Sequence, residues 1–168
     1  LITTNSIRDV RLLGWQVSYS GNDSNVELVK TEGTASAGTK SDLVIDGLRF
    51  AGNDNVKGIK FTDAVHYATV KNSYITDVKD YAVMDAGSST EGIYVGNCYI
   101  EGDIDINKES GVVRNNTIKG NVDIAEDFGM AAMNDITGNI TAKAAQSVFL
   151  VKNKVNGKMA IEHGKACA

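Results

Sequence analysis

Apolar residues recur along this chain in short alternating runs, and one phrase returns seven times: an apolar residue, any residue, then a glycine. It stands at residues 12–14, 50–52, 75–77, 100–102, 118–120, 136–138 and 155–157, with Asp77 replacing one glycine. The anchors Leu12, Phe50, Ile75, Ile100, Ile118, Ile136 and Val155 are 38, 25, 25, 18, 18 and 19 residues apart. A repeat of that length with mostly β-branched anchors predicts a solenoid in which each repeat is one coil.

The inside of a coil follows from the same pattern. Five residues before the anchors stand Ile7, Ile45, Val70, Val95, Val113, Ala131 and Leu150. Strict alternation would put these and the anchors on opposite faces. Both sets are apolar, so the chain bends between them, where Asn, Asp and Gly collect; these are the residues that tolerate a left-handed backbone. The glycine after the anchor marks a second bend. Another alternating pair follows, such as Ile59/Phe61, Ile104/Ile106 and Val122/Ile124. A third, polar bend of variable length and a third short strand close the coil. The expectation is an all-β chain of about seven three-stranded coils, stacked strand on strand in parallel around one core. Apolar spacing of two dominates over 3.6, which argues against helices, and the helix-friendly compositions at 126–133 and 142–146 read as turns and strands because of their place in the repeat.

Composition narrows the function classes. The chain has 168 residues, 17 glycines, no proline and a formal net charge of −4. One domain over residues 1–168 fits that length. The acidic balance argues against nucleic acid, which needs a basic footprint, and no apolar run is long enough for a membrane span. The chain opens at Leu1 without an initiator Met or signal segment, and it reads as a processed or excised piece. Cys98 and Cys167 fall three coils apart, roughly 14 Å at about 4.8 Å per rung, too far for a disulfide.

The phrases Val70-Lys71-Asn72-Ser73-Tyr74-Ile75, Val95-Gly96-Asn97-Cys98-Tyr99-Ile100-Glu101-Gly102 and Val113-Arg114-Asn115-Asn116-Thr117-Ile118-Lys119-Gly120 resemble the right-handed parallel β-helix of the pectate-lyase-like superfamily. That family stacks asparagines at its tightest bend. Here asparagine stands three residues before the anchor in coils three to five and two before it in coils five to seven, changing register at Asn115-Asn116. The resemblance covers the chain from residue 43 onward and, more loosely, residues 5 to 30. It implies the fold and leaves chemistry open, since the family holds polysaccharide lyases, glycoside hydrolases, phage tailspikes, adhesins and non-catalytic surface proteins.

Two outward columns are candidate sites. The residue before each anchor gives Arg11, Arg49, Tyr74 and Tyr99 in the first four coils. Aromatic faces stack on sugar rings and arginine grips carboxylates in bidentate fashion, so this stripe suits an acidic polysaccharide. Equally, tyrosine is an ordinary strand residue that packs on its neighbour. The second column carries Lys60, Met84, Asp105, Asp123 and Thr141, with Asp103 beside it. Carboxylates on adjacent rungs share a proton, bind a cation or are offset by lysines. In the pectate lyases acidic residues on the corresponding face bind calcium while an Arg or Lys serves β-elimination, so the resemblance implies Asp103, Asp105 and Asp123 as calcium ligands, with Lys60 or Lys108 nearby. The fold's hydrolase signatures are missing: Glu162-His163-Gly164 is not Gly-His-Gly, and the only other histidine is His66. Extra residues in the early coils, at 31–40, 63–67 and 86–91, are expected to leave the stack as loops, where binding tends to reside.

Three readings therefore stand: a carbohydrate-binding β-helix of an extracellular, cell-surface or virion protein; a structural rod that assembles end to end or around a trimer axis; and a fragment of a calcium-dependent polysaccharide lyase. The sequence leans away from catalysis by this chain alone. The inward assignment of the anchors has a direct test. Ile118→Asp places an unpaired charge in the core at a cost of several kcal/mol, and thermal melting should show the cooperative transition lost; a parent-like Tm would mean that Ile118 does not face inward.

Overall fold

The computed structural model describes residues 2–5, 10–32, 42–62, 65–87, 90–108, 110–125, 128–144 and 147–163. They form three parallel sheets. Sheet I has eight strands: β1 (Ile2–Asn5), β4 (Glu27–Glu32), β7 (Lys57–Phe61), β10 (Tyr81–Asp85), β13 (Asp103–Ile106), β16 (Val122–Ala125), β19 (Ile140–Ala144) and β22 (Met159–His163). Sheet II has seven: β2 (Val10–Leu13), β5 (Leu43–Asp46), β8 (Thr69–Lys71), β11 (Tyr94–Gly96), β14 (Val112–Arg114), β17 (Gly129–Ala132) and β20 (Val148–Val151). Sheet III also has seven: β3 (Gln16–Ser18), β6 (Arg49–Ala51), β9 (Tyr74–Thr76), β12 (Tyr99–Glu101), β15 (Thr117–Lys119), β18 (Asp135–Ile136) and β21 (Lys154–Val155). Each strand from β1 to β19 pairs with the one three places on. The fold is therefore a parallel β-helix of seven three-stranded coils preceded by one further strand. Among the described residues no helix is long and apolar enough to cross a membrane.

The core is three sets of stacked side chains. Phe50, Ile75, Ile100, Ile118 and Ile136 come from sheet III, Ile45, Val70, Val95, Val113 and Ala131 from sheet II, and Ile59, Val83, Ile104, Val122 and Ile140 from sheet I, each at most 1 % exposed. Burying one such isoleucine is worth about 2–3 kcal/mol relative to leaving it in water. The segments with helix-friendly composition supply β17 and β19, as their place in the repeat predicted.

The first coil sits in a different register from the one the repeat suggested. Leu12 lies opposite Ile45 in sheet II, and Val17 is the residue opposite Phe50. The glycine of the first phrase serves another bend: Gly14 and Gly47 occupy the corner between sheets II and III with φ of 65° and 72°. Asn72, Asn97, Asn115, Met133 and Lys152 fill that corner in the next five coils with φ between 52° and 57°. All seven coils thus turn there through one left-handed residue, which for a residue with a Cβ costs about 1–2 kcal/mol. The glycine after the anchor is required for another reason. A Cβ on Gly138 would lie 2.4 Å from the carbonyl oxygen of Gly120, one coil away, so this corner brings backbone directly onto backbone.

The two sets of asparagines expected to form one stack have separate roles. Asn72, Asn97 and Asn115 are the exposed left-handed residues. Asn116, Asn134 and Asn153 point inward and form the ladder. Asn116 Nδ2 donates to the Val95 carbonyl oxygen (3.0 Å), Asn134 Nδ2 to that of Val113 (2.9 Å) and Asn153 Nδ2 to that of Ala131 (2.8 Å). The Asn134 Oδ1 accepts the Asn116 backbone N–H at 3.0 Å, and the Asn153 Oδ1 that of Asn134 at 3.1 Å. The column continues toward the first coils through smaller groups. Cys98 N–H donates to Asn116 Oδ1 (2.9 Å), the Cys98 thiol reaches the Gly96 carbonyl oxygen (3.2 Å), and Leu48 N–H donates to Ser73 Oγ (3.2 Å). Cys98 is a buried free thiol whose pKa burial pushes up to about 11, an inert member of the ladder. Cys167 lies outside the described residues.

This division predicts unequal costs for two substitutions on neighbouring coils. Asn134→Ala leaves the buried Asn116 N–H without its acceptor and takes the side-chain donor from the Val113 carbonyl, and should cost about 2–3 kcal/mol, or roughly 5–10 °C in Tm. Asn115→Ala loses only the tolerance of its exposed left-handed turn, about 1 kcal/mol. Urea melts of the two variants read the difference directly; equal losses would overturn the division.

Candidate functional site

Stacking places the outward residues of sheet III in a column that reads Gln16, Arg49, Tyr74, Tyr99, Thr117, Asp135 and Lys154, fixed by the pairs Gln16↔Arg49, Arg49↔Tyr74, Tyr74↔Tyr99, Tyr99↔Thr117, Thr117↔Asp135 and Asp135↔Lys154. Arg49, Tyr74 and Tyr99 are together, as the sequence suggested. Arg11 is not with them: it pairs with Val44 on the outer face of sheet II. The cause is the register of the first coil, which gives its rung in the stripe to Gln16.

The stripe is more ordered at one end than at the other. The Tyr74 and Tyr99 rings stack with centroids 4.5 Å apart and planes 8° from parallel. Lys119 Nζ stands 5.3 Å from the Tyr99 centroid and donates to Glu101 Oε1 at 2.7 Å, while Tyr99 Oη donates to the same oxygen at 2.7 Å. The Lys119 ammonium and then the Tyr99 hydroxyl hold the Glu101 carboxyl below its usual pKa, and Glu101 in turn holds the Lys119 ammonium above its own. Tyr99 is thus flanked by a ring on one face and a cation on the other. Tyr74 is 44 % exposed and its free face turns toward the earlier coils.

There the surface opens into a groove of about 210 Å³, lined by Gln16, Ser18, Arg49, Ala51 and Tyr74 over Val17 and Phe50. Among the described residues no carboxylate pairs with the exposed Arg49 guanidinium. A planar cation next to an open aromatic face, above a partly apolar floor, suits a ring-shaped ligand that carries an anionic group.

The acidic column on sheet I has the predicted register. Lys60, Met84, Asp105, Asp123 and Thr141 are successive partners. The three aspartates do not act together, however. Asp103 Oδ1 accepts the Asn121 backbone N–H (2.7 Å) and Nδ2 (3.2 Å), and Asn121 Oδ1 accepts the Asn139 N–H (2.9 Å). A second polar ladder, Asp103–Asn121–Asn139, therefore runs up the corner between sheets III and I. Its signal in the sequence is the Asp or Asn directly after Gly102, Gly120 and Gly138. Among the described residues no group of three His, Cys, Asp or Glu side chains is placed to hold a metal ion. The set implied as calcium ligands does not fit that role, because the Asp103 carboxylate is turned onto Asn121. Lys60, one of the two lysines named beside that set, lies 3.8 Å from Glu27. The loops expected at 31–40, 63–67 and 86–91 lie in part outside the described residues. Of what remains, His66 Nδ1 meets Glu91 Oε1 at 2.9 Å, and Asp85 Oδ1 accepts the Gly87 N–H at 3.2 Å and also pairs with the Thr90 hydroxyl.

No protein-family model, curated protein or solved structure matches this chain. The class of protein is accordingly the one its own geometry defines, a parallel β-helix with an open aromatic–arginine groove on one face.

Asp105 gives a pH prediction. Partial burial raises its pKa, the neighbouring Asp123 charge adds to this, Asn107 opposes it, and Asp85 and Asp103 push the same way. A raised carboxyl pKa in the folded state stabilises at pH values below the unfolded pKa, and that stability is lost as pH rises through the folded pKa. Asp105→Asn should therefore raise Tm at neutral pH by about 2 °C, the effect of relieving a like-charge cross-strand pair of ~0.5 kcal/mol. The gain should vanish below about pH 4, where the parent carboxyl is protonated. A pH-independent difference in calorimetric scans would refute this cause.

Proposed function

We propose that this chain is a non-catalytic carbohydrate-binding β-helix of an extracellular, cell-surface or virion protein, and that it engages an acidic polysaccharide at the groove bounded by Arg49 and Tyr74. The observation that carries the reading is the juxtaposition, on adjacent rungs, of an exposed guanidinium with no carboxylate partner among the described residues and a tyrosine ring whose second face is open. A pyranose ring would lie on the free face of Tyr74, its carboxylate on Arg49, and its hydroxyls within reach of Gln16 and Ser18. Tyr99 backs the platform rather than touching the ligand, since both of its faces are taken. The ligand class rests on that juxtaposition, since the resemblance of the repeat to the pectate-lyase-like superfamily leaves chemistry open. The lyase reading has no such support here, because Asp103 belongs to a structural ladder.

Isothermal titration with uronic-acid oligosaccharides and with neutral oligosaccharides of the same length tests the proposal. Arg49→Met and Tyr74→Ala should each weaken binding of the acidic ligand about tenfold or more, the worth of one charge-assisted pair or one stacked ring. Arg49 is exposed, so Arg49→Met should keep Tm within about 2 °C of the parent; Tyr74→Ala also gives up its stack on Tyr99 and should lower Tm by about 1–6 °C. Heat signals absent for every glycan, or unchanged in both variants, would remove the groove as a site.

A further inference from the structure

Sheet I carries on its outer face a column that reads the same in reverse once the signs of its charges are exchanged. In register order it runs Thr3, Lys30, Lys60, Met84, Asp105, Asp123 and Thr141. Two cations precede Met84 and two anions follow it. The residues just before the five central members, Val29, Ile59, Val83, Ile104 and Val122, are each at most 1 % exposed, which turns the column outward. Asp123 is exposed, and Lys30, Lys60, Met84 and Asp105 are half-buried. Stacking sets like charges on neighbouring rungs at about 5 Å, an arrangement that costs energy within one chain. Lys60 is partly answered by Glu27, 3.8 Å away, and Asp105 by the Asn107 amide. Neither contact removes the separation of sign along the column.

A second copy of this chain is the partner that such a column fits. Let two copies meet at sheet I, face to face, about a two-fold axis that runs along the strands through Met84. Each column then lies antiparallel on the other. Lys30 falls opposite Asp123 of the copy, Lys60 opposite its Asp105, Met84 opposite its Met84, and Thr3 opposite its Thr141. Each ionic contact occurs twice by symmetry. Sheets packed face to face stand about 10 Å apart, a gap that a lysine and an aspartate span together. The centre of the contact is apolar, and the exposed Ala86, two residues after Met84, adds to it. The charges stand around that centre, the usual order of a protein interface. A parallel arrangement, with the axis along the stack, would set Lys30 on Lys30 and Asp123 on Asp123, so the order of charges selects the antiparallel one. From Lys30 to Asp123 the column covers four rungs, about 19 Å at ~4.8 Å each. That is small for a stable complex, so the association is reversible.

We infer that the outer face of sheet I is a self-recognition surface, on which two copies of this chain pair antiparallel about Met84. The groove at Arg49 and Tyr74 lies on sheet III, so this inference stands or falls apart from glycan binding. Sedimentation equilibrium of the whole chain at low ionic strength, over a hundredfold range of concentration, should show the mass rise from 17.9 kDa to twice that value and stop there. Salt at about 1 M, which shortens the screening length to ~3 Å, should raise the dissociation constant about tenfold or more. Asp123→Lys sets a lysine against Lys30 of the copy at both ends of the contact and should weaken the dimer about tenfold or more. Within its own chain the same change removes the repulsion between Asp123 and Asp105, so Tm at monomer concentrations should not fall and a lost dimer is not a lost fold. The double variant Lys30→Glu with Asp123→Lys restores opposite charges in reversed order and should return dissociation to near the parent value, a rescue that a generally adhesive surface does not produce. A monomer at every concentration in low salt, masses that grow past two copies, or a double variant as weak as the single one would each overturn the inference.

Discussion

Every feature of this molecule answers to one constraint: each coil must lie on the coil beneath at the spacing of hydrogen-bonded strands, about 4.8 Å. At that distance a corner in one coil cannot differ much in shape from the corner below. The seven left-handed residues from Gly14 to Lys152 show the consequence, because glycine, asparagine, methionine and lysine all adopt one backbone conformation there. Glycine accepts it without penalty and asparagine at small cost, while Met133 and Lys152 adopt it because the stack around them leaves no other path. Gly120 and Gly138 meet the same demand differently, by leaving out a side chain where backbone touches backbone.

Polar groups inside such a stack must also be satisfied repeatedly. A buried asparagine on one rung offers an oxygen to the rung before it and an amide to a carbonyl further back, so the cheapest neighbour for Asn134 is another asparagine. The ladder ends where a smaller partner suffices, at Cys98 and Ser73. A second ladder on another corner absorbs Asp103. Carboxylates and asparagines that look like ligand sets in a linear reading are in this way consumed by the architecture.

Repetition also sets what the outside can present. Each outward side chain lies over its equivalent, so tyrosine stacks on tyrosine and aspartate faces aspartate. The first arrangement builds a platform, and the second adds like-charge repulsion to the burial that raises the pKa of Asp105. Function is open to residues that the repeat leaves over. Arg49 has a tyrosine on one side and a glutamine on the other, and no acid among the described residues answers its charge.

The sequence alone determined the number of coils, the parallel stacking, the inward columns from Phe50 onward and the pairing of Asp105 with Asp123, because a period enforced seven times is visible without coordinates. It also placed Arg49 beside Tyr74 and Tyr74 beside Tyr99. It misplaced Arg11, since Leu12–Gly14 matches the repeated phrase while Gly14 serves a different bend, and only strand pairing distinguishes them. It could not separate Asn115 from Asn116, neighbours of which one is exposed and left-handed and the other buried in a ladder. Nor could it tell that Asp103 is spent on Asn121 or that both faces of Tyr99 are covered. Those facts belong to side-chain direction and to contacts between coils some 18 residues apart, which a one-dimensional period does not encode and which the tertiary stack alone decides.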